Sequence, residues 1–214
     1  MSMLIKICGL RTQEHMRVAA LAGADMLGLV FAPSRRQVSI GEAAQLVAAF
    51  RAGPPPYPHL VGLFVNREPA FIQEVADHLD LDLVQLSGTE PASDATTIKR
   101  PILKTVRLDG STDEAAWLEL ADREAERGSV TLLIDAHVPG HYGGTGTLAN
   151  WSQARELAAR VPTFLAGGLT PANVAAAIAA VQPHGVDVSS GVETDGGKDS
   201  AKIEAFIAAA RASQ

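Results

Sequence analysis

Eight short apolar runs alternate with amphipathic stretches along the chain, and this alternation restricts the possible folds more than any other feature. The runs are rich in Val, Leu and Ile, which is typical of parallel strands buried on both faces. They predict strands at 4–8, 25–30, 60–65, 82–86, 102–107, 131–135, 163–166 and 186–189. The intervening patterns predict helices at 13–22, 40–52, 68–78, 113–127, 149–160, 171–181 and 198–210, with a weaker helix near 93–98.

Prolines and a threonine mark two of these helix starts. Pro69 and Pro171 lie near the first turns of their helices, where a missing backbone N–H costs little. Thr170 precedes Pro171 and is expected to cap that helix through its hydroxyl.

Eight strand–helix units without a break in composition predict a closed (β/α)8 TIM barrel of the α/β class, because an open doubly wound sheet usually has fewer strands. The proline-rich stretch 53–58 is interpreted as a connection within the barrel, so residues 1–214 form a single catalytic domain in this prediction. In such barrels the carboxyl-terminal ends of the strands form the active face.

Charge and cysteine content limit the classes of binding partner and the cellular compartment that we expect for this chain. The 18 basic and 24 acidic residues give a net charge of -6, which disfavours nucleic acid and anionic membrane as partners. The single cysteine excludes an intrachain disulfide and fits a reducing compartment. No stretch approaches the roughly 18 apolar residues of a membrane span. The start of the chain is interpreted as the first strand, and we expect a cytoplasmic protein.

The first strand ends at the only cysteine. Side chains alternate along a strand, so Lys6 and Cys8 share the inward face while Ile5 and Ile7 face the helices. A buried lysine needs an anion, and Asp187 lies on the strand that would neighbour the first one in a closed barrel. We therefore expect Lys6 to pair with Asp187 and to favour the thiolate of Cys8, although a lone cysteine is also a common small core residue.

The sixth strand ends in an acid that packing explains poorly. Asp135 is well placed for acid–base chemistry, or alternatively for capping its own loop through an Asx turn. It opens a glycine-rich loop in which Gly143, Gly144 and Gly146 would allow a lid movement or a close approach to a ligand.

The ends of the last two strands favour an anion. Segments 165–170 and 187–191 offer backbone N–H groups with little steric bulk, at the two loops where barrels often bind phosphate. The candidate phosphate-binding residues are Gly167, Gly168, Asp187, Ser189, Ser190 and Gly191. After the second strand, Arg35 and Arg36 are candidates for binding a carboxylate, or are solvated surface residues.

Metal binding has little support. His137 and His141 lie near Asp135, but Pro139 and Gly140 intervene, so the histidines do not share a helical face. We predict no metal site.

These residues carry a resemblance to the phosphoribosylanthranilate isomerase family of tryptophan biosynthesis. The matching segments run in order through nearly the whole chain: 6–10 (KICGL), 61–66 (VGLFVN), 84–86 (VQL), 133–135 (LID), 143–146 (GGTG), 165–169 (LAGGL) and 185–193 (GVDVSSGVE). The family usually has histidine where this chain has Ser87, and Ser-Pro-Arg where it has Ser34-Arg35-Arg36.

The resemblance implies an Amadori rearrangement of a phosphorylated small molecule, N-(5'-phosphoribosyl)anthranilate. By this analogy Asp135 is the general acid, Cys8 the general base, and Arg36 the contact of the anthranilate carboxylate, a role that Arg35 could share. Proton transfer needs neither a hydride carrier nor an electron sink, so no cofactor is expected. The chain is expected to act as a monomer or homodimer.

Three other functions stay open at this point. A related barrel isomerase acting on another phosphosugar would be expected to carry an acid in place of Cys8. A non-catalytic phosphate-binding barrel would be favoured if Cys8 and Asp135 lay at opposite ends of the barrel. A metal-dependent hydrolase would contain metal after purification.

Overall fold

The computed structural model describes residues 3–108, 111–135 and 148–213, with the side chains of 148–150 excepted. Eight parallel strands form a closed barrel in which each strand pairs with the next, and the last pairs with the first. The strands are β1 Leu4–Cys8, β2 Met26–Val30, β3 His59–Phe64, β4 Leu83–Leu86, β5 Ile102–Val106, β6 Val130–Asp135, β7 Thr163–Ala166 and β8 Gly185–Val188. The predicted TIM barrel is confirmed, and no strand end differs from its predicted position by more than one residue.

Helices cover the outside of the barrel. They are α1 Gln13–Ala22, α2 Ile40–Arg51, α3 Pro69–His78, α4 Thr112–Glu124, α5 Leu148–Ala158, α6 Val174–Val181 and α7 Ser200–Arg211. The β4–β5 connection contains only a 3-10 helix, Ala92–Thr96. Pro91 precedes this 3-10 helix, Pro101 precedes β5, and Thr96, Thr97 and Ile98 are β-branched, which limits helix growth.

Local capping explains several helix starts. Ser39 and Glu42 form a reciprocal capping box at the start of α2, and Pro69 occupies the first turn of α3 as predicted. The prediction that Thr170 caps the next helix is wrong. Residues 171–173 form a turn, α6 begins at Val174, and the side chain of Asn173 accepts a hydrogen bond from the Thr170 N–H at 2.7 Å.

The core has two layers separated by the barrel wall. The larger layer lies between strands and helices and contains Ile5 and Ile7, both fully buried. A smaller apolar cluster that includes Val61, Leu133 and Phe164 lies apart from it, on the other side of the wall. This arrangement leaves Lys6 and Cys8 on the inward face of β1, in agreement with the predicted alternation.

No helix in the described part of the chain is long and apolar enough to cross a membrane.

Candidate active site

A cavity of about 500 Å³ opens at the carboxyl-terminal ends of the strands. Most of the predicted site residues line it, and they come from both halves of the chain. These are Cys8, Arg36, Asp135, Gly167, Gly168, Asp187, Ser189, Ser190 and Gly191. Cys8 and Asp135 therefore lie at the same end of the barrel, which removes the geometric argument for a non-catalytic barrel. The predicted lid residues Gly143, Gly144 and Gly146 lie outside the described residues.

The floor of this cavity contains a buried ion pair that joins the first and last strands. Lys6 stands opposite Asp187 in the β1–β8 register. The Lys6 Nζ donates to Asp187 Oδ1 at 2.8 Å, with the lysine fully buried. The predicted pair is confirmed. Its physical reason is that a buried ammonium requires a counter-ion, and barrel closure supplies one from the neighbouring strand.

Cys8 is two residues further along β1 than Lys6, on the same inward face, and it is also buried. Burial raises the pKa of the Cys8 thiol above its ordinary value, and Lys6 and Lys198 oppose this shift only in part. The expected influence of Lys6, which favours the thiolate, is present, but burial outweighs it and the pKa of the thiol stays above its ordinary value. Asp187 accounts for part of the difference, because its negative charge also raises the pKa of the thiol.

Lys6 itself keeps its charge. Burial alone would lower the pKa of Lys6, but attraction to Asp187 and Cys8 outweighs burial, and the pKa lies above its ordinary value. The base of the cavity therefore combines the buried Lys6–Asp187 ion pair with a thiol whose pKa is raised. A thiol with a raised pKa is less often ionised, but its thiolate is a stronger base once it forms.

Asp135 is the last residue of β6 and is half-buried at the cavity wall. It pairs in register with Ala166 of β7, directly before Gly167. The barrel thus sets the carboxyl group beside one of the two glycine-rich turns. The glycine-rich loop that follows, residues 136–147, lies outside the described residues.

The two predicted phosphate-binding turns lie against each other. Gly167 and Gly168 both adopt positive φ angles, 85° and 66°. A Cβ added to Gly191 would lie only 1.8 Å from the Leu169 carbonyl oxygen, so the close contact between the turns requires glycine there. Asn173, which the sequence reasoning missed, donates to the Gly168 carbonyl at 3.0 Å and supports the first turn.

Asp187 differs from the other members of the predicted phosphate group. Its carboxylate holds Lys6, and its backbone belongs to β8. A carboxylate repels a phosphate, so this residue contributes to the ion pair on the cavity floor. The amide donors that remain available to a phosphate come from the turns above it.

The two neighbouring arginines have different positions. Arg36 lines the cavity, whereas Arg35 is absent from the lining and its side chain is 58% exposed. The Arg36 side chain passes over Gly9, where an added Cβ would lie 2.6 Å from Arg36 Cδ. Of the two candidates, Arg36 is therefore the one that can reach a ligand beside Cys8.

Both arginines bind Glu193, a residue that the sequence reasoning did not single out. Arg36 Nε donates to Glu193 Oε1 at 2.6 Å and Arg36 Nη2 donates to Oε2 at 2.9 Å. Arg35 Nη2 donates to Oε2 at 2.6 Å, and Lys198 Nζ donates to Oε1 at 2.8 Å. Burial would raise the pKa of Glu193, but hydrogen bonds from Arg36 and Lys198 dominate and lower it to about 2.

A cluster of neutral polar groups forms the opposite wall of the cavity. Ser87, at the position where the family resemblance leads one to expect histidine, shares a hydrogen bond of 2.9 Å with the Thr105 hydroxyl. Gln85 Nε2 donates to Ser87 Oγ at 3.0 Å. This cluster therefore contributes hydroxyls and an amide, whereas the charge on this side of the cavity lining comes from Arg107, directly after β5.

Within residues 3–108, 111–135 and 148–213, no group of three or more His, Cys, Asp or Glu side chains is arranged to hold a metal ion. His137 and His141 lie outside these ranges. The expectation of a metal-free site stays a prediction.

The closed barrel, with a thiol, a carboxyl group and an arginine around one cavity at the carboxyl-terminal ends of its strands, has the architecture of a (β/α)8-barrel enzyme. Residues 5–209 match the family model described as N-(5'phosphoribosyl)anthranilate (PRA) isomerase. The chain belongs to the N-(5'-phosphoribosyl)anthranilate isomerase family, and it is an isomerase.

Relatives of this family resemble the chain over its whole length. The N-(5'-phosphoribosyl)anthranilate isomerase of Roseiflexus castenholzii is 53% identical over 215 residues, covering 98% of this chain and 99% of the relative. That of Roseiflexus sp. (strain RS-1) is 50% identical over 212 residues, covering 97% of each chain.

Solved structures support the same assignment. The crystal structure of the Thermotoga maritima phosphoribosyl anthranilate isomerase is 34% identical with a TM-score of 0.83, covering 98% of this chain and 99% of that one. Another crystal structure of a phosphoribosyl anthranilate isomerase is 33% identical with a TM-score of 0.80 and the same coverage. That protein is in complex with reduced 1-(o-carboxyphenylamino)-1-deoxyribulose 5-phosphate.

Proposed function

We propose that the cavity above Cys8 is where this isomerase converts N-(5'-phosphoribosyl)anthranilate into 1-(2-carboxyphenylamino)-1-deoxyribulose 5-phosphate in tryptophan biosynthesis. One observation carries the proposal: Cys8, Asp135, Arg36 and the two glycine-rich turns line a single cavity of about 500 Å³. This volume lies within the range of small-molecule sites.

Asp135 acts as the general acid in the first step. It protonates the furanose ring oxygen as the bond from that oxygen to C1' breaks, and the nitrogen lone pair forms the Schiff base. Its half-buried position at the end of β6 keeps the carboxyl group at the cavity wall. A proton donor held there contributes typically 10²–10⁴-fold to such a step.

Cys8 acts as the general base in the second step. Its thiolate removes the proton from C2' of the sugar, the electrons of that C–H bond form the C1'=C2' double bond, and the C=N electrons return to the nitrogen. The resulting enolamine becomes the aminoketose when C1' takes up a proton and the C2' hydroxyl loses one. Lys6 and Lys198 lower the pKa of the thiol and so favour the thiolate against the effect of burial. The buried thiolate gains base strength from the same raised pKa.

The two anionic ends of the substrate orient the sugar between these groups. Backbone N–H groups of the turns at 167–168 and 189–191 bind the phosphate, and Arg36 binds the anthranilate carboxylate. Arg36 and Ser189 both lie beside Gly9, adjacent to the base: an added Cβ there would lie 2.6 Å from Arg36 Cδ and 3.3 Å from Ser189 Oγ. We further propose that residues 1–214 act as one catalytic domain in the cytoplasm, as a monomer or homodimer, without metal or cofactor.

The loss of anthranilate fluorescence from freshly generated phosphoribosylanthranilate tests this function. Cys8→Ala and Asp135→Asn should each lower kcat by about 10²-fold or more with a modest change in KM, because both groups act mainly in the transition state. Asp80→Asn, which alters a carboxylate that is 76% exposed, is the control and should leave both constants unchanged. Near-normal turnover of Cys8→Ala would exclude its role as the base.

A further inference from the structure

Glu193 bonds three basic side chains, one of which, Arg36, lines the cavity. Its carboxylate is 4% exposed and lies within 2.9 Å of donors from Arg35, Arg36 and Lys198. Three cations therefore surround one anion, and the cluster keeps a net charge of +2 beside the cavity. Such a charge matches a ligand with two anionic ends.

The carboxylate of Glu193 occupies one edge of the Arg36 guanidinium. The Nε–Nη2 edge of Arg36 bonds both carboxylate oxygens, at 2.6 and 2.9 Å, in a two-bond fork. This leaves Nη1 and the second hydrogen of Nη2 for a ligand. Because two bonds fix the plane of the guanidinium, the free edge keeps one direction, and a ligand carboxylate meets a donor pair that needs no reorganisation.

Lys198 connects the same carboxylate to the phosphate side. Its Nζ donates to Glu193 Oε1 and also to the Ser189 carbonyl oxygen, both at 2.8 Å. Ser189 Oγ in turn donates to the Cys8 carbonyl at 3.2 Å. The Arg36 side chain and the turn after β8 are thus held in one continuous network.

We propose that Glu193 is a positioning residue that fixes the guanidinium of Arg36, so that its free edge meets the carboxylate of the substrate. This inference rests on the proposed function, and it assigns to Glu193 no contact with the reacting atoms. Lys198 provides the additional positive charge that keeps Glu193 ionised, and its bond to the Ser189 carbonyl does not depend on Glu193.

Steady-state kinetics of Glu193→Gln test the proposal. An amide offers one acceptor oxygen in place of two, so Arg36 loses its fork, and KM should rise by about 10-fold, the low end for a hydrogen bond to a charged group, with kcat within a factor of three. The inhibition constant of inorganic phosphate should stay within a factor of two, because Lys198 still holds Ser189.

A double variant distinguishes a positioning role of Glu193 from a general disruption of the site. If Glu193 acts through Arg36, then Glu193→Gln should change KM less than twofold in an Arg36→Ala background. Two results would overturn the proposal. One is that Glu193→Gln raises KM in the Arg36→Ala background as much as it does in the wild type. The other is that Glu193→Gln weakens inhibition by inorganic phosphate as much as it raises KM. If Glu193→Gln does not fold, Glu193→Asp, which keeps the charge but shortens the side chain, undergoes the same comparison.

The control is Asp25→Asn, which removes one charge from the Arg211 ion pair at the opposite end of the barrel and should leave KM unchanged. Active wild-type protein with an unaffected Glu193→Gln variant overturns this inference alone. Wild-type protein that does not convert the substrate overturns the proposed function and this inference with it.

Discussion

The pair of charges below Cys8 should tune its thiol in opposite directions. Lys6 favours the thiolate and Asp187 disfavours it, while burial sets the overall rise in the pKa. Lys6→Met should therefore raise the pKa of the Cys8 thiol further, and Asp187→Asn should lower it. The opposite signs are the test, because general loosening of the site would admit water and lower the pKa in both variants.

The structure sets the size of these shifts. A Cβ built on Gly28 would lie 3.0 Å from Cys8 Sγ and 3.3 Å from Lys6 Nζ, so the sum of the two distances, 6.3 Å, is an upper limit for their separation. At an effective dielectric constant of about 20, two unit charges at this distance interact by about 3 kcal/mol, so the loss of Lys6 should raise the pKa of the thiol by a clearly measurable amount. Asp187 has the smaller electrostatic effect on the Cys8 thiol, so its removal should lower the pKa by less than the loss of Lys6 raises it.

The assay is alkylation of Cys8 by iodoacetamide as a function of pH. Cys8 is the only cysteine, so mass spectrometry of the whole chain reports its reaction directly. The midpoint of the pH profile is the quantity to compare, because the intrinsic nucleophilicity of a thiolate also changes with its pKa.

Lys99→Met, which removes an exposed lysine outside the cavity lining, should leave the midpoint unchanged. Equal midpoints for wild type and Lys6→Met, or shifts of the same sign in both variants, would refute the reasoning.

Three further results are expected. Arg36→Ala should raise KM about 10-fold or more with a small effect on kcat. Arg35→Ala, which alters a side chain that is 58% exposed, should change KM less than threefold. If Arg35→Ala has the larger effect on KM, Arg35 is the ligand contact. Gly191→Ala should weaken inhibition by inorganic phosphate and lower the midpoint of thermal unfolding, because the added Cβ would overlap the Leu169 carbonyl. An unchanged inhibition constant together with an unchanged unfolding midpoint would contradict this contact. The depressed pKa of Glu193, about 2, adds stability that is complete above about pH 4.3 and is lost as the pH falls towards 2. This contribution is worth roughly 1–2 kcal/mol after solvent screening, and urea unfolding of Glu193→Gln should lack that part of the acid dependence.

The sequence predicted the barrel because its strands carry a simple signal. Buried parallel strands need continuous apolar runs, and eight such runs correspond to the eight strands of the structure. The start of α6 was harder to predict, because Thr170 and Asn173 both resemble caps, and only the turn at 171–173 decides between them. The short 3-10 helix after β4 depends on the competition between weak helix propensity and two flanking prolines.

Part of the site also followed from the sequence. Strand alternation and barrel closure were enough to predict the Lys6–Asp187 pair. The direction of the Cys8 pKa was not predictable, because it depends on how far burial exceeds the nearby charges. Glu193 was missed because its arginine partners lie 157 and 158 residues away along the chain, and no local pattern indicates that the segment after β8 folds back onto them.

The Lys6–Asp187 contact spans 181 residues, so it also has a consequence for how the protein acquires activity during folding. Contacts of such large sequence separation carry a high loop-closure entropy cost and tend to form late. A nascent chain that has released only its first seven strands would hold an ammonium without its counter-ion and a thiol without its final surroundings. Catalytic activity should therefore appear only when β8 pairs with β1, and a measurement of activity can report when this barrel is complete.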